Sequence, residues 1–256
     1  MTWNANGLLQ QKENLFVTRD DQKIDVCLIS ETQFTRESYN IPRRFDLYHT
    51  MHPNNGARGG SAVIKKEISP HENIKIEEEE FQVTTVKIKT TSGIITVSAI
   101  YYPPRYNLKR EDCLNLLRSF SGKFIFGRDF NSKNTILGSR LTNTKVSELC
   151  QASKMHKYEE HTTGKPTYWP TDRNKVPGLV GFFMSGNLSR FMDVNEDFDL
   201  DSDHSPIVLI LSKTIIKKEQ NPTVSNKLTD WDMFRENPEK GISLRATLKP
   251  KDEIEE

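Results

Sequence analysis

With 256 residues, 35% of them hydrophobic and 28% charged, the chain is long enough for a substantial core and too apolar to belong to the disordered class. Its 36 basic and 35 acidic residues leave a formal net charge of +1, which neither requires nor excludes nucleic acid as a partner. Three cysteines without close spacing, Cys27, Cys113 and Cys150, argue against a disulfide framework or a zinc site and fit a reducing compartment. No apolar run reaches the length of a membrane span and the N-terminus has no apolar signal core, so a nuclear or cytoplasmic location is expected, with no membrane partner.

Taken in chain order, the predicted elements are mostly strands. Residues 24–30 (IDVCLIS) form a short β-branched run ending at Glu31. Residues 60–64 follow a Gly-Gly pair and read the same way. Residues 81–89 alternate, with Phe81, Val83, Val86 and Ile88 against Thr84, Lys87 and Lys89. A Thr-Ser-Gly turn at 91–93 leads into residues 94–101, so the two runs predict a hairpin. Helical spacing over 108–120 places Leu114, Leu117 and Phe120 on one face, and over 145–155 groups Val146, Leu149 and Cys150. A buried-type strand at 123–126 runs into Gly127-Arg128-Asp129-Phe130-Asn131, and a last one at 206–211 follows Ser202-Asp203-His204. Residues 213–256 are polar and broken by Pro222, Pro238 and Pro250, and read as a tail or linker after a domain of residues 1–212. Hairpin-paired strands with interspersed helices indicate an α/β (α+β) layered fold rather than a doubly wound parallel sheet. There is no glycine fingerprint for a nucleotide, and no small-molecule cofactor is expected.

Polar residues stand where the apolar runs stop: Asn4 and Asn6 near the start, then Glu31, Asp129 with Asn131, and Asp203 with His204. Strand ends along one sheet edge can converge on a single site. Carboxylates and amides are hard oxygen donors, suited to Mg²⁺ or Mn²⁺. A carboxylate beside water can serve as base, and a histidinium can neutralise charge building on phosphate. Together they suit metal-assisted hydrolysis of a phosphate ester. Singly, each has a plainer reading: Glu31 as a solvated loop residue, Asp129-Phe130-Asn131 as a turn, Tyr101 as strand-end packing, and His49, His52, His156 and His161 as surface or packing residues.

Several segments resemble, in order, the motifs of the endonuclease/exonuclease/phosphatase superfamily: Trp3-Asn4-Ala5-Asn6-Gly7, Ser30-Glu31-Thr32, Tyr101-Tyr102-Pro103-Pro104, Gly127-Arg128-Asp129-Phe130-Asn131 and Ser202-Asp203-His204-Ser205-Pro206. Gly138-Ser139-Arg140-Leu141-Thr142-Asn143 and Gly164-Lys165-Pro166-Thr167-Tyr168-Trp169-Pro170 resemble the apurinic-type endonuclease domain of jockey-like non-LTR retrotransposons, and Lys227-Leu228-Thr229-Asp230-Trp231 the segment that follows it. The resemblance implies a DNase-I-like four-layered sandwich, two packed β-sheets flanked by helices. It implies Glu31 as principal metal ligand with Asn4 beside it, Asp129 positioning the attacking water, and Asn131 orienting the phosphate. His204 would contact the scissile phosphate, Asp203 would support metal or phosphate geometry, and Tyr101 would sit against the phosphate. The implied reaction is metal-dependent nicking of one strand of double-stranded DNA to leave a 3′-hydroxyl, with Arg105, Lys109, Arg110, Tyr168 and Trp169 as weaker DNA contacts.

The pattern also departs from the family. Pro177-Gly178-Leu179-Val180-Gly181 carries glycine where the family has two acids, the second of which holds the catalytic histidine. Without that carboxylate His204 is expected to lose its fixed orientation, and in the Ser-His-Asp precedent neutralising the orienting acid costs ~10⁴ in rate. Arg128 replaces a glycine beside Asp129, and Leu137 a tryptophan. The first strand is expected to be clipped, because Trp3 stands so near the start. Enzymatic activity is therefore left open against a second expectation, a decayed copy that at most binds DNA.

Overall fold

Apolar residues that alternate along the central strands bury both faces of each sheet, and this sets the architecture. The computed structural model describes residues 1–36, 45–66, 71–77, 81–103, 110–118, 120, 122–129, 153, 155–156, 158–170, 181–186, 188–195 and 200–216. A first sheet has the order β1-β2-β4-β3, formed by Thr2–Asn4 (β1), Val26–Ser30 (β2), Phe45–Thr50 (β3) and Ser61–Lys66 (β4). A second has the order β5-β6-β7-β8-β10-β9, formed by His71–Glu77 (β5), Gln82–Thr90 (β6), Gly93–Tyr101 (β7), Phe124–Asp129 (β8), Glu159–His161 (β9) and Gly181–Gly186 (β10). Met192–Asn195 (β11) and Val208–Leu211 (β12) pair separately. The helices are Leu8–Asp21 (α1) and Arg110–Arg118 (α2), with a 3₁₀ turn at Ser189–Phe191.

In β2, Cys27 and Ile29 turn toward α1 and join Trp3, Leu8, Leu15, Phe16 and Phe45. Leu28, between them, faces the second sheet and packs with Val63, Val86, Val97, Ala99 and Ile125. The alternation repeats in β8, where Ile125 points between the sheets while Phe124 and Phe126 stack with Phe120, at 5.1 and 5.4 Å between ring centroids. Leu114 and Leu117 of α2 are buried as well. This period-two burial yields α1, sheet, sheet and α2 in sequence, the four-layered α/β sandwich that the motifs imply.

The predicted hairpin is present, with Gln82 opposite Tyr101 and Thr90 opposite Gly93. The strand at the start exists as β1, parallel to β2 and bridged to the chain at Ile207 by two backbone hydrogen bonds of 2.8 and 2.9 Å. The pattern gave no sign of α1, β3, β5 or β10. In α1 the inward positions are Leu8, Leu15, Phe16 and Arg19, while Val17 is 61% exposed. An inward arginine and an outward valine erase the apolar stripe that signals a helix. One compact unit spans Met1–Ile216. Asn131, Arg105, Lys109, the Gly138–Asn143 motif, most of the 145–155 helix, residues 177–180 and the 217–256 segment lie outside the described residues. No helix among the described residues is long and apolar enough to cross a membrane.

Candidate active site

Parallel pairing puts the C-terminal ends of β1 and β2 side by side, so Asn4, the last residue of β1, lies next to Ser30 and Glu31. The parallel pair β7–β8 likewise ends at Tyr101 and Asp129. The two sheets approach closely at Gly127, where a Cβ would stand 2.6 Å from Thr2 Cβ and 3.0 Å from Leu28 Cδ1. Two residues beyond that contact, Asn4 and Asp129 end their strands on a common rim.

The backbone at this rim is bent into unusual conformations. Asn6, Glu31 and Gln33 have φ of 44°, 53° and 53°, a left-handed region that side chains other than glycine seldom occupy and that concentrates at functional sites. The bend at Glu31 lets Gly7 N–H donate to its carbonyl at 2.9 Å, tying the entry of α1 to the turn after β2. Gly59 and Gly60 also have positive φ, 60° and 85°, and receive hydrogen bonds from Gln33 and Thr32. A Cβ on Gly59 would meet Tyr101 Cε1 at 2.7 Å, so the glycine lets the loop close against the tyrosine.

Asn4 is the hub of the polar cluster. Its Oδ1 accepts Asn6 N–H at 3.0 Å, which fixes the amide orientation and aims its NH₂ at the acid. Nδ2 donates to Glu31 Oε1 at 3.1 Å and stands 3.4 Å from His204 Nε2. Asp203 Oδ1 lies 3.8 Å from the same ring nitrogen. His204 is only 6% exposed, and the Tyr168 ring covers it at 4.7 Å between centroids. Residues 168 and 204 form an isolated antiparallel bridge, flanked by Ser205 N–H to Thr167 O and Trp169 N–H to Asp203 O. Thus the imidazole is oriented here by Tyr168, Asn4 and the backbone, even with glycine at 181.

Two positioning residues stood out less in the sequence. Ser202 Oγ accepts Trp3 Nε1–H at 3.1 Å and His204 N–H at 3.0 Å, and it lies 3.0 Å from Asn4 O. The Trp3 indole also donates to His204 O at 2.9 Å. The Ser-Asp-His motif held this clue, but a contact across some two hundred positions is invisible to local pattern. Of the weaker DNA contacts, Tyr168 packs on His204, whereas Trp169 is 49% exposed with its indole N–H on Ser205 Oγ at 3.0 Å. The backbone of Arg110 opens α2. His52 and His161 are buried, His49 meets Phe34 edge-on and His156 stacks on Tyr158.

The donor set suits a hard divalent cation. Glu31 offers a half-buried carboxylate and Asp203 another, while the oxygen of Asn4 already holds Asn6 N–H. Among the described residues no group of three or more His, Cys, Asp or Glu is poised to hold a metal. One or two carboxylates leave most of a divalent cation's coordination open, unlike a closed four-ligand zinc cage.

A family model described as endonuclease-reverse transcriptase matches residues 95–208. The chain is 31% identical over 235 residues to the RNA-directed DNA polymerase from mobile element jockey of Drosophila melanogaster, covering 91% of this chain and 26% of that protein. Both matches place the chain beside the endonuclease-bearing proteins of mobile elements. A probable RNA-directed DNA polymerase from transposon BS of Drosophila melanogaster is 26% identical over 259 residues, covering 100% of this chain and 29% of that protein. The chain thus spans between a quarter and a third of the length of these relatives. In fold, the domain is similar to the endonuclease domain of TRAS1, a telomere-specific non-LTR retrotransposon, with a TM-score of 0.66 at 18% identity, covering 82% of this chain and 96% of that one. It is also similar to the Xenopus laevis APE2 catalytic domain, with a TM-score of 0.62 at 16% identity, covering 86% and 93%. The rim thus gathers Asn4, Glu31, Tyr101, Asp203 and His204 with the end of β8 at Asp129.

Proposed function

We propose that this domain is a metal-dependent DNA endonuclease that hydrolyses one phosphodiester of a duplex and leaves a 3′-hydroxyl. The observation that carries this reading is the meeting of Asn4, Glu31, Asp203 and His204 from both ends of the chain, through contacts of 3.1, 3.4 and 3.8 Å. Glu31, supported by Asp203, would hold Mg²⁺ or Mn²⁺, and the bound cation would supply Lewis-acid stabilisation of charge on the phosphate. Asn4 would keep the Glu31 carboxylate aimed by donating to it. His204, oriented by Tyr168 and Asn4, would donate to a phosphate oxygen. Asp129, at the end of β8, would take a proton from the attacking water, with Asn131 orienting the phosphate and Tyr101 packed against it. The test is nicking of supercoiled plasmid by purified protein with Mg²⁺ or Mn²⁺, against EDTA and Glu31→Ala. Nicking that needs metal and disappears in Glu31→Ala supports the reading; none from a folded sample overturns it.

A second reading, a domain that binds DNA without cutting it, is favoured by one observation. Gly181 is paired with Asp129 in the β8–β10 register, so no side-chain carboxylate stands at that position.

A further inference from the structure

Two loops beside the site are laced together and each carries an exposed arginine. The first runs from Glu31 to Arg36, the second over residues 51–60 between β3 and β4. Thr32 and Gln33 donate from the first to the carbonyls of Gly60 and Gly59, at 3.4 and 2.8 Å. Arg36 N–H donates to Asn55 Oδ1 at 2.9 Å. The second loop is braced internally by Asn55 N–H to His52 O at 2.9 Å and Arg58 N–H to Gly56 O at 2.7 Å. Its glycines close against Tyr101 and Thr32. The backbone of both loops is therefore fixed relative to Glu31 and Tyr101.

Arg36 and Arg58 belong to this frame and are both exposed. The carboxylates in the ion pairs of the described residues belong to Asp46, Glu111 and Asp203, and the cations to Lys65, Arg118 and His204. Neither arginine is among them. A guanidinium with no carboxylate partner among the described residues keeps its planar fork of donors available, a form that suits phosphate oxygens. Arg58 is one residue from the glycine that touches Tyr101, and Arg36 five residues from Glu31. These cations were absent from the basic rim expected around Arg105, Lys109 and Arg110.

We propose that Arg36 and Arg58 form a phosphate-binding ridge for duplex DNA along the β3–β4 side of the site. This rests on the endonuclease reading. The ridge holds the backbone of the strand flanking the cleaved phosphate and reads no base, because its donors stand on rigid loops at the rim.

The test is fluorescence anisotropy of a labelled duplex of about 20 base pairs, in EDTA across a salt series, a length chosen to cover a single-domain DNA footprint. Wild type is compared with Arg36→Ala, Arg58→Ala, the double variant, both Arg→Lys variants, and Lys89→Ala as a control. Lys89 is exposed near the opposite end of β6 from Gln82, about 23 Å along the strand. Each alanine is expected to weaken binding several-fold, alike on unrelated sequences, and to lower the salt slope by about one; the double variant lowers it by about two. Lysine restores the slope, Lys89→Ala leaves it unchanged, and melting temperatures stay within a degree or so of wild type. An unchanged slope in a folded double variant overturns the ridge, as does a loss confined to one sequence or a stronger preference for single-stranded RNA of equal length. A folded wild type that binds no duplex overturns both ridge and endonuclease reading. Binding that loses slope as expected, beside an absence of metal-dependent nicking, leaves the ridge standing and removes the enzyme.

Discussion

Gly181 and Asp129 face one another across the antiparallel pairing of β8 and β10. Directly paired residues direct their side chains to the same face of a sheet, with Cβ atoms about 5 Å apart. An aspartate introduced at 181 would therefore enter the ladder directly opposite position 129. If His204 lacks only an orienting carboxylate, Gly181→Asp raises plasmid nicking by at least about tenfold, a part of the ~10⁴ that such a group contributes elsewhere. Two like charges across the ladder cost up to about 1 kcal/mol of stability. An unchanged rate in a folded variant would show that Tyr168 and Asn4 already orient the imidazole sufficiently.

Ser202 ties β1 to the His204 loop through the Trp3 indole and the His204 amide. Ser202→Ala removes an acceptor from both donors and is expected to cost about 1–2 kcal/mol in a urea melt. Nicking should fall further than the unfolded fraction accounts for, because Trp3 keeps only its bond to His204 O. Ser202→Thr, which retains a hydroxyl, should recover most of both. Full activity in a stable Ser202→Ala protein contradicts the positioning role.

Gly127 is the point where β8 passes Thr2. A methyl group there would meet Thr2 Cβ at 2.6 Å and Leu28 Cδ1 at 3.0 Å, and strands lying in two packed sheets yield little. Gly127→Ala is expected to destabilise by about 1–3 kcal/mol, with Thr2→Gly in the same chain restoring part of it. A urea midpoint equal to wild type would mean that the sheets can slide apart at this contact.

Arg19 is fully buried, with its guanidinium 3.9 Å above the Phe45 ring and Nη2 on Asp25 O at 3.2 Å. Its Nε and Nη1 have no hydrogen-bond partner, so a desolvated cation is only partly compensated. Arg19→Met should leave stability unchanged or raise it by about 1 kcal/mol. Arg19→Lys should lower it, because a compact ammonium loses the planar stacking on Phe45. Denaturant midpoints of the two variants decide the matter; a loss of several kcal/mol in Arg19→Met would reveal a larger gain from the cation–π contact.

Burial pushes the Cys27 thiol up, an effect that the nearby N-terminal ammonium and Arg19 only partly offset. Burial, then Asp46 beside it, pushes the Tyr48 hydroxyl up to about 12. Both folded values lie above the unfolded ones. Their contributions to stability are therefore complete below the unfolded pKa, about 8.5 for the thiol and about 10 for the phenol, and are lost as pH rises toward the folded values. Urea midpoints should be flat with respect to these groups between pH 7 and 8 and decline above about pH 8.5. Cys27→Ala should flatten the first part of that decline relative to its own stability at pH 7. A decline of equal steepness in that variant would assign it to other groups.

Composition, alternation and motif order were enough to read β2, β4, the β6–β7 hairpin, β8 and α2, because in each of them burial follows the local period. Glu31, Asp203, His204 and Asn4 were legible as polar residues where apolar runs stop. Arg36 and Arg58 were not, since a surface arginine carries no pattern of its own. Helix α1 was hidden by its inward arginine and outward valine. What the chain determined alone is therefore which segments bury which faces, a consequence of transferring apolar side chains out of water at a period of two or 3.6. Tertiary structure decided that Asn4 aims its NH₂ at Glu31 and His204, that Tyr168 lies on the imidazole, and that Gly181 falls opposite Asp129. Those depend on parallel pairing, sheet register and the close approach at Gly127, where residues far apart in sequence meet under contacts that no local period encodes.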